Sequence, residues 1–169
     1  MTLITDAYRR ANEMLHETTQ YGVTAPRFMG AIDQIATTYK AADILDYGSG
    51  PREHVKAAFG ERARSYDPCV PHLAADPEPA DLLVSCDVLE HIEPELLGNV
   101  LDHMASLSRK AAFLTIATGP AKKYLPDGRN AHLIQEGPDY WLPLLMERWQ
   151  LKHFQDIGPE LVCVMEARQ

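Results

Sequence analysis

Acidic residues and glycines stand where apolar segments end, and these residue types at this spacing could hold a nucleoside. The apolar segment 44–47 contains Asp46 and runs into Gly48 and Gly50. Seventeen residues past Gly50, a second segment ends at Asp67. Glycine allows a tight turn and a close approach of the backbone to a ligand, and a carboxylate at a strand end can accept hydrogen bonds from both ribose hydroxyls. The spacing therefore predicts a nucleoside site where the strands of a sheet end.

A third apolar segment, 82–86, runs into the sequence Asp-Val-Leu-Glu-His-Ile at 87–92. Together with the Asp-x-Gly-x-Gly sequence at 46–50 and with Asp67, this run resembles the class I S-adenosylmethionine-dependent methyltransferases. The resemblance covers most of the chain. It departs at one position, since Arg52 stands where many members have a third glycine.

This resemblance implies S-adenosylmethionine as the cofactor and S-adenosylhomocysteine as the product. It places Asp46 near the methionine moiety, with Gly48 and Gly50 beside the amino-acid end of the cofactor. It places Asp67 at the ribose, and it brings three further residues against the adenosylmethionine: Asp87, Val88 and Leu89. Structural roles stay open for two of the carboxylates, as a helix cap for Asp46 and as a turn former before Pro68 for Asp67.

The histidines do not predict a metal site. The seven histidines are scattered, and the three cysteines show no zinc-type spacing. His91, which follows Glu90, has an intrinsic pKa suited to a proton shuttle. A structural role in packing or in capping the next helix is the favoured interpretation for it.

The segment 119–135, GPAKKYLPDGRNAHLIQ, follows the predicted strand 111–118 and is rich in turn formers and polar groups. A loop of this length at the ligand-binding edge is commonly functional. Three of its residues are candidate catalytic residues: Asn130 and His132 could orient or deprotonate an acceptor, and Arg129 could pair with an acceptor carboxylate or phosphate. The lysines of the segment are interpreted as solubilising groups. Methyl transfer needs a general base only where the acceptor must lose a proton.

Alternating strand and helix patterns predict an α/β fold, a Rossmann-like and mostly parallel sheet with helices on both faces and an antiparallel terminal strand. We expect a helical segment at 1–41 that covers the sheet or the site, and a methyltransferase-like α/β domain at 42–169. The short, proline-rich stretch 70–79 predicts a third strand that is short, irregular or missing. The predicted strands are 43–47, 63–66, 81–86 and 111–118, with a closing antiparallel pair at 151–157 and 161–166. The predicted helices are 3–19, one from Pro26 after a break at Tyr21 and Gly22, 94–107 and 138–149.

Composition narrows the function classes. The chain of 169 residues carries a formal charge of −8, which argues against a partner held through many phosphates. Three cysteines in odd number indicate buried thiols in a reducing compartment. No apolar run approaches the ~18–20 residues of a membrane span. These features predict a cytoplasmic protein without a membrane partner.

Three functions of different classes follow. The leading hypothesis is a methyltransferase that acts on a small or polar acceptor, anionic acceptors included. DNA is disfavoured because the chain is acidic and lacks the Asn/Asp-Pro-Pro-aromatic sequence of base amino-methyltransferases, whereas RNA and protein acceptors stay open. A non-catalytic binding module or a partner-dependent subunit is the alternative. A nicotinamide-dependent oxidoreductase is less favoured, because the third glycine is absent and the predicted terminal strands are antiparallel.

Overall fold

The computed structural model describes residues 1–18 and 24–168. The predicted end of the first helix at Thr19 and the predicted break at Tyr21 and Gly22 lie outside these ranges. None of the described helices combines the length and the apolar character that crossing a membrane requires.

In the described residues, six strands form one sheet in the order β2-β1-β3-β4-β6-β5. The neighbours from β2 to β4 pair in parallel, whereas β6 is antiparallel to both β4 and β5. This arrangement confirms the predicted fold class, including its antiparallel terminal strand. The strands are β1 (Ile44–Tyr47), β2 (Ala63–Tyr66), β3 (Ala80–Cys86), β4 (Ser108–Ala117), β5 (Trp149–Asp156) and β6 (Glu160–Ala167).

The stretch between β2 and β3 contains a single 3-10 turn, Pro71–Leu73, and no strand. It is therefore too short to add a strand outside β2, and β2 is an edge of the sheet. The prediction of a short or missing third strand is confirmed.

Within the part of the chain that the structure describes, five α-helices surround the sheet: α1 (Asp6–Thr18), α2 (Met29–Thr38), α3 (His54–Phe59), α4 (Leu97–Leu107) and α5 (Pro138–Met146). Three of them begin later than predicted: α1 begins at Asp6 rather than at residue 3, and 3-10 turns at Ala25–Phe28 and Pro94–Leu96 precede α2 and α4. The last predicted helix ends earlier, at Met146, because Trp149 already pairs in the sheet.

The strands bury both faces, as parallel strands covered by helices do. Alternate residues point to opposite sides, so that Leu45 packs with α4 and α5 while Ile44 packs with α2 and α3. Trp141 and Trp149 are the largest fully buried side chains, and both lie on the α4 and α5 side. This two-sided core fixes the strand ends, which carry the candidate site.

Candidate active site

A cavity of about 440 Å³ lies where β1, β2 and β3 end. Residues that directly follow each strand line it, and loop 119–135 and the N-terminal segment complete its wall. The volume is within the usual range of ligand pockets. Of the predicted site residues, those on the wall are Gly48, Gly50, Asp67, Asp87, Val88 and His132.

Gly48 turns the chain at the end of β1. Its φ of +79° is in the left-handed region, and its N–H donates to the Tyr66 carbonyl over 2.8 Å. A Cβ at this position would lie 2.5 Å and 2.8 Å from the two γ-carbons of Val88. Only glycine fits, because both the backbone conformation and the neighbouring side chain exclude a larger residue.

Asp67 is hydrogen-bonded to the glycine turn. One carboxylate oxygen accepts the Gly50 N–H at 2.9 Å and the other accepts the Cys69 N–H at 2.8 Å, and the residue is only 7% exposed. Each carboxylate oxygen has two lone pairs, so an oxygen that accepts one backbone N–H can also accept a ligand hydroxyl. The structure thus joins two residues that the sequence places seventeen positions apart.

Asp46 lies beneath this turn rather than on the cavity wall. It is 3% exposed, and burial, with the nearby carboxylates of Asp67 and Glu53, raises the pKa of Asp46 to about 7. A carboxyl in such surroundings holds its proton near neutral pH unless a cation compensates its charge.

Asp87 connects the end of β3 to the N-terminal segment. Its carboxylate accepts hydrogen bonds from the hydroxyls of Thr24 and Thr115, and its φ of +55° places the backbone in the left-handed region. Glu160 of β6 lies close by, and burial together with the Asp87 carboxylate raises the pKa of Glu160 to about 7. Two carboxyls therefore share one small region at the end of the sheet.

The other two predicted cofactor residues, Val88 and Leu89, lie in different surroundings. Val88 faces the cavity and packs against Gly48. Leu89 is 1% exposed and lies in the apolar core on the α4 and α5 side. The structure therefore gives Leu89 a packing position and not a place on the cavity wall.

The loop 119–135 folds back on itself around Asn130. The Asn130 amide oxygen accepts the N–H groups of Ala121 and His132, both at 2.9 Å, and the amide nitrogen donates to the Ala121 carbonyl at 2.9 Å. Asn130 thereby positions His132, whose ring lies on the cavity wall. Its own side chain serves the loop and does not line the cavity.

We expect Asn130→Asp to lower the free energy of unfolding by about 1–3 kcal/mol, because a carboxylate cannot donate to the Ala121 carbonyl and repels it. Urea denaturation measures this loss. Tyr124→Phe, at an exposed side chain of the same loop, is the control and leaves the stability unchanged. Equal stability of Asn130→Asp and wild type would contradict this role.

Arg129, the third predicted catalytic residue, points outward. Its side chain is 51% exposed and pairs with Asp127 at 2.7 Å, and its guanidinium carbon lies 5.7 Å from the centre of the Tyr8 ring. The structure thus places Arg129 against α1 and outside the cavity wall, where it joins the loop to the N-terminal segment.

Sequence reasoning missed how closely the N-terminal segment closes the site. Tyr8 is buried, donates its hydroxyl to the His91 carbonyl and packs with Leu125 of the loop. Thr5 donates its N–H and its hydroxyl to the buried Glu93 carboxylate, at 2.8 Å and 2.6 Å. The helical periodicity around Tyr8 indicated an apolar face but not the element that this face would cover.

Sequence reasoning also missed a cluster at the end of the cavity. His91 and His132 meet edge to face, with 4.7 Å between ring centroids, and Glu90 lies beside them. Burial, with the charge of Asp87, raises the pKa of Glu90 well above its usual range. The two histidines are 41 residues apart in the chain, so their spacing carries no signal of this contact.

Comparison with known proteins gives structural matches. No protein-family model matches the chain, and no curated protein matches its sequence. An O-methyltransferase family protein from Burkholderia thailandensis superposes with a TM-score of 0.62 at 12% identity, over 97% of this chain and 59% of that chain. This chain therefore spans somewhat more than half the length of that protein.

Two further solved structures match over nearly their full lengths. The 1,6-didemethyltoxoflavin-N1-methyltransferase of B. thailandensis, with bound 1,6-didemethyltoxoflavin and S-adenosylhomocysteine, gives a TM-score of 0.64 at 16% identity, over 100% of this chain and 93% of that chain. The DhpI-SAM-HEP complex gives 0.58 at 13% identity, over 96% and 95%. At these identities the likeness shows the fold alone: the chain has the class I methyltransferase fold.

Proposed function

We propose that the protein is an S-adenosylmethionine-dependent methyltransferase that acts on a small or polar acceptor, anionic acceptors included. The observation that carries this proposal is the bond between the glycine turn and Asp67, in a cavity at the strand ends of a class I methyltransferase fold. Asp67 is the proposed ribose acceptor. Gly48 and Gly50 are proposed to lie beside the methionine moiety, next to Asp87 and Val88.

The charges around the turn favour this cofactor over a dinucleotide. Asp67 and Asp87 line the cavity. Such carboxylates attract a ligand that carries a sulfonium and an ammonium group, and they repel a pyrophosphate. Local charge therefore supports S-adenosylmethionine and disfavours a nicotinamide dinucleotide.

The other end of the cavity suits a polar acceptor. Lys122, Lys123 and His132 line it, so a carboxylate or phosphate would find two ammonium groups and an imidazole there. The Nδ1 of His132 lies 2.6 Å from the Gly119 carbonyl, which accepts a hydrogen bond and so assigns the proton of the neutral ring to Nδ1. The Nε2 of His132 is then the atom that can take a proton from an acceptor.

When bound, S-adenosylmethionine supplies an activated methyl group. This chain's residues then have to orient the acceptor and exclude water. We propose that the segment 1–41 covers the site; among its described residues, those that line the cavity are Leu3, Ile4, Tyr8, Asn12 and Thr24.

Calorimetric titration with S-adenosylmethionine, S-adenosylhomocysteine and NAD tests the proposal. We expect micromolar binding of the two adenosyl ligands and a loss of roughly 10- to 100-fold in affinity for Asp67→Asn, because a hydrogen bond to a charged group contributes about 1.5–3 kcal/mol. Asp76→Asn, an exposed carboxylate in the stretch after β2, is the matched control and retains affinity. Tighter binding of NAD, or no binding of either adenosyl ligand, would reject the proposed cofactor.

An enzyme converts S-adenosylmethionine into S-adenosylhomocysteine, whereas a binding module only binds it. We expect formation of S-adenosylhomocysteine when the protein and S-adenosylmethionine are incubated with a set of small hydroxyl, amine and carboxylate compounds. Cofactor binding without product across such a set would favour the module.

A further inference from the structure

We propose that Glu90, His91 and His132 form a binding site for a divalent transition-metal ion at the acceptor end of the cavity. One ligand atom from each residue lies within 4.8 Å of the other two. Two imidazoles and one carboxylate are a donor set that suits Mn²⁺, Fe²⁺, Co²⁺, Ni²⁺ and Zn²⁺. Mg²⁺ and Ca²⁺ prefer oxygen ligands alone, so this set selects against them.

Backbone carbonyls orient both imidazoles. His91 Nδ1 lies 2.7 Å from the Ala131 carbonyl oxygen, and His132 Nδ1 lies 2.6 Å from that of Gly119. A carbonyl can only accept, so each Nδ1 donates and each Nε2 becomes the coordinating nitrogen. A hydrogen bond from the second ring nitrogen to a carbonyl is the usual support of metal-ligating histidine.

Glu90 supplies the observation that independently points to a ligand. The residue is 0% exposed, and its Oε1 accepts the Ala117 N–H at 3.0 Å. Its Oε2 is buried without a hydrogen-bond partner among the residues that the structure describes. Burying a carboxyl oxygen without a hydrogen-bond partner costs free energy, and a bound cation would offset this cost by coordinating the oxygen.

The three proposed ligands belong to two segments that a backbone hydrogen bond holds together. Glu90 and His91 follow β3, His132 comes from loop 119–135, and the Ile134 N–H donates to the Glu90 carbonyl at 3.0 Å. Donors about 2.1 Å from one ion lie roughly 3.0–3.4 Å from each other, so binding requires a closure of only about 1–2 Å. Side-chain rotation within this joined pair can supply it.

Three protein ligands leave coordination positions open toward the cavity. We infer that an acceptor oxygen occupies one of them, which makes the acceptor class a hydroxyl or carboxylate compound able to bind a metal. This second step depends on the proposed function. A divalent ion there would occupy the Nε2 of His132, so the ion and not the histidine would activate an acceptor hydroxyl, by lowering its pKa until its proton leaves to water. The oxygen then bonds to the methyl group as the methyl–sulfur bond of S-adenosylmethionine breaks, and S-adenosylhomocysteine leaves.

The test is titration of untagged, chelator-treated protein with Co²⁺, followed by visible absorption and calorimetry, with and without S-adenosylhomocysteine. We expect one site and a loss of roughly 10-fold or more in affinity for each of Glu90→Gln, His91→Gln and His132→Gln, since even the supporting residues of such sites contribute that much. Glu90→Gln keeps an oxygen for the Ala117 N–H, and its melting temperature checks the fold. His153→Gln, at an exposed histidine of β5, is the control and retains affinity.

Equal Co²⁺ affinity in wild type and the three variants, or binding no tighter than that of a surface histidine, would overturn the metal site. This readout does not require methyl transfer, so failure of the adenosyl ligands to bind would reject the proposed function and leave the metal result standing. Metal binding with unchanged methyl transfer to hydroxyl and carboxylate acceptors in the stripped protein would overturn the inferred acceptor class.

Discussion

Gly48→Ala is expected to lower the free energy of unfolding by about 2–5 kcal/mol and to abolish binding of S-adenosylmethionine. A left-handed backbone costs a residue with a Cβ about 1–2 kcal/mol, and overpacking adds about 1–3 kcal/mol. Both terms apply, because φ is +79° and the added methyl would lie 2.5 Å from a Val88 γ-carbon. Urea denaturation measures the stability, and calorimetry measures the binding.

Two variants separate these terms. Gly50→Ala has a similar φ of +61° but nothing within 4 Å of its Cβ among the described residues, so it should cost the backbone term alone. Val88→Ala in the Gly48→Ala background removes the γ-carbons and should recover the packing term but not the backbone term. Equal losses for Gly48→Ala and Gly50→Ala would show that the Val88 contact is irrelevant to stability.

The ligand-free protein should lose stability as the pH rises from 5 to 8. The pKa of Asp46 is raised from 3.8 to about 7 in the folded chain, so the folded state keeps a proton that the unfolded state releases. The stabilisation is complete below the unfolded pKa near 4 and is lost as the pH rises to the folded pKa near 7. Asp46 alone accounts for roughly 2–3 kcal/mol between pH 5 and 8.

Asp46→Asn tests this assignment, because the amide has no proton to release. We expect the variant to have a flatter stability profile and to exceed the wild type in stability at pH 8, as measured by urea denaturation across the range. Glu160 contributes in the same direction, since its pKa is also raised to about 7. Asp33→Asn, on the exposed side of α2, should follow the wild-type profile. A variant profile as steep as that of the wild type would assign the effect to other groups.

The strand ends were predictable because local patterns determine them. Apolar runs that end in Asp or Gly predicted β1, β2 and β3 closely, and the three residues between the last predicted strands required antiparallel pairing. The helix starts were less predictable, because Pro26 and Pro94 begin 3-10 turns before the α-helices. A proline fixes φ in a range that both kinds of helix use.

The residues that line the cavity were predictable at the ends of β1 and β2, and much less so at the end of β3 and in loop 119–135. Val88 and Leu89 are adjacent, yet one faces the cavity and the other the core, because a short 3-10 turn at Leu89–His91 sets their directions. Asn130 holds the loop through contacts that depend on how the loop folds back. Side-chain direction in irregular backbone is a tertiary property that residue types alone do not encode.

The position of β6 between β4 and β5 has a consequence for synthesis of the chain. A nascent chain that has emerged only through β5 holds β4 with an open edge and β5 without a neighbour, because β6 pairs with both. The buried β6 residues Leu161, Cys163 and Met165 also complete one side of the core. Exposed apolar edges favour association between chains. During translation this sheet therefore passes through an interval in which chaperones have an unpaired edge to protect.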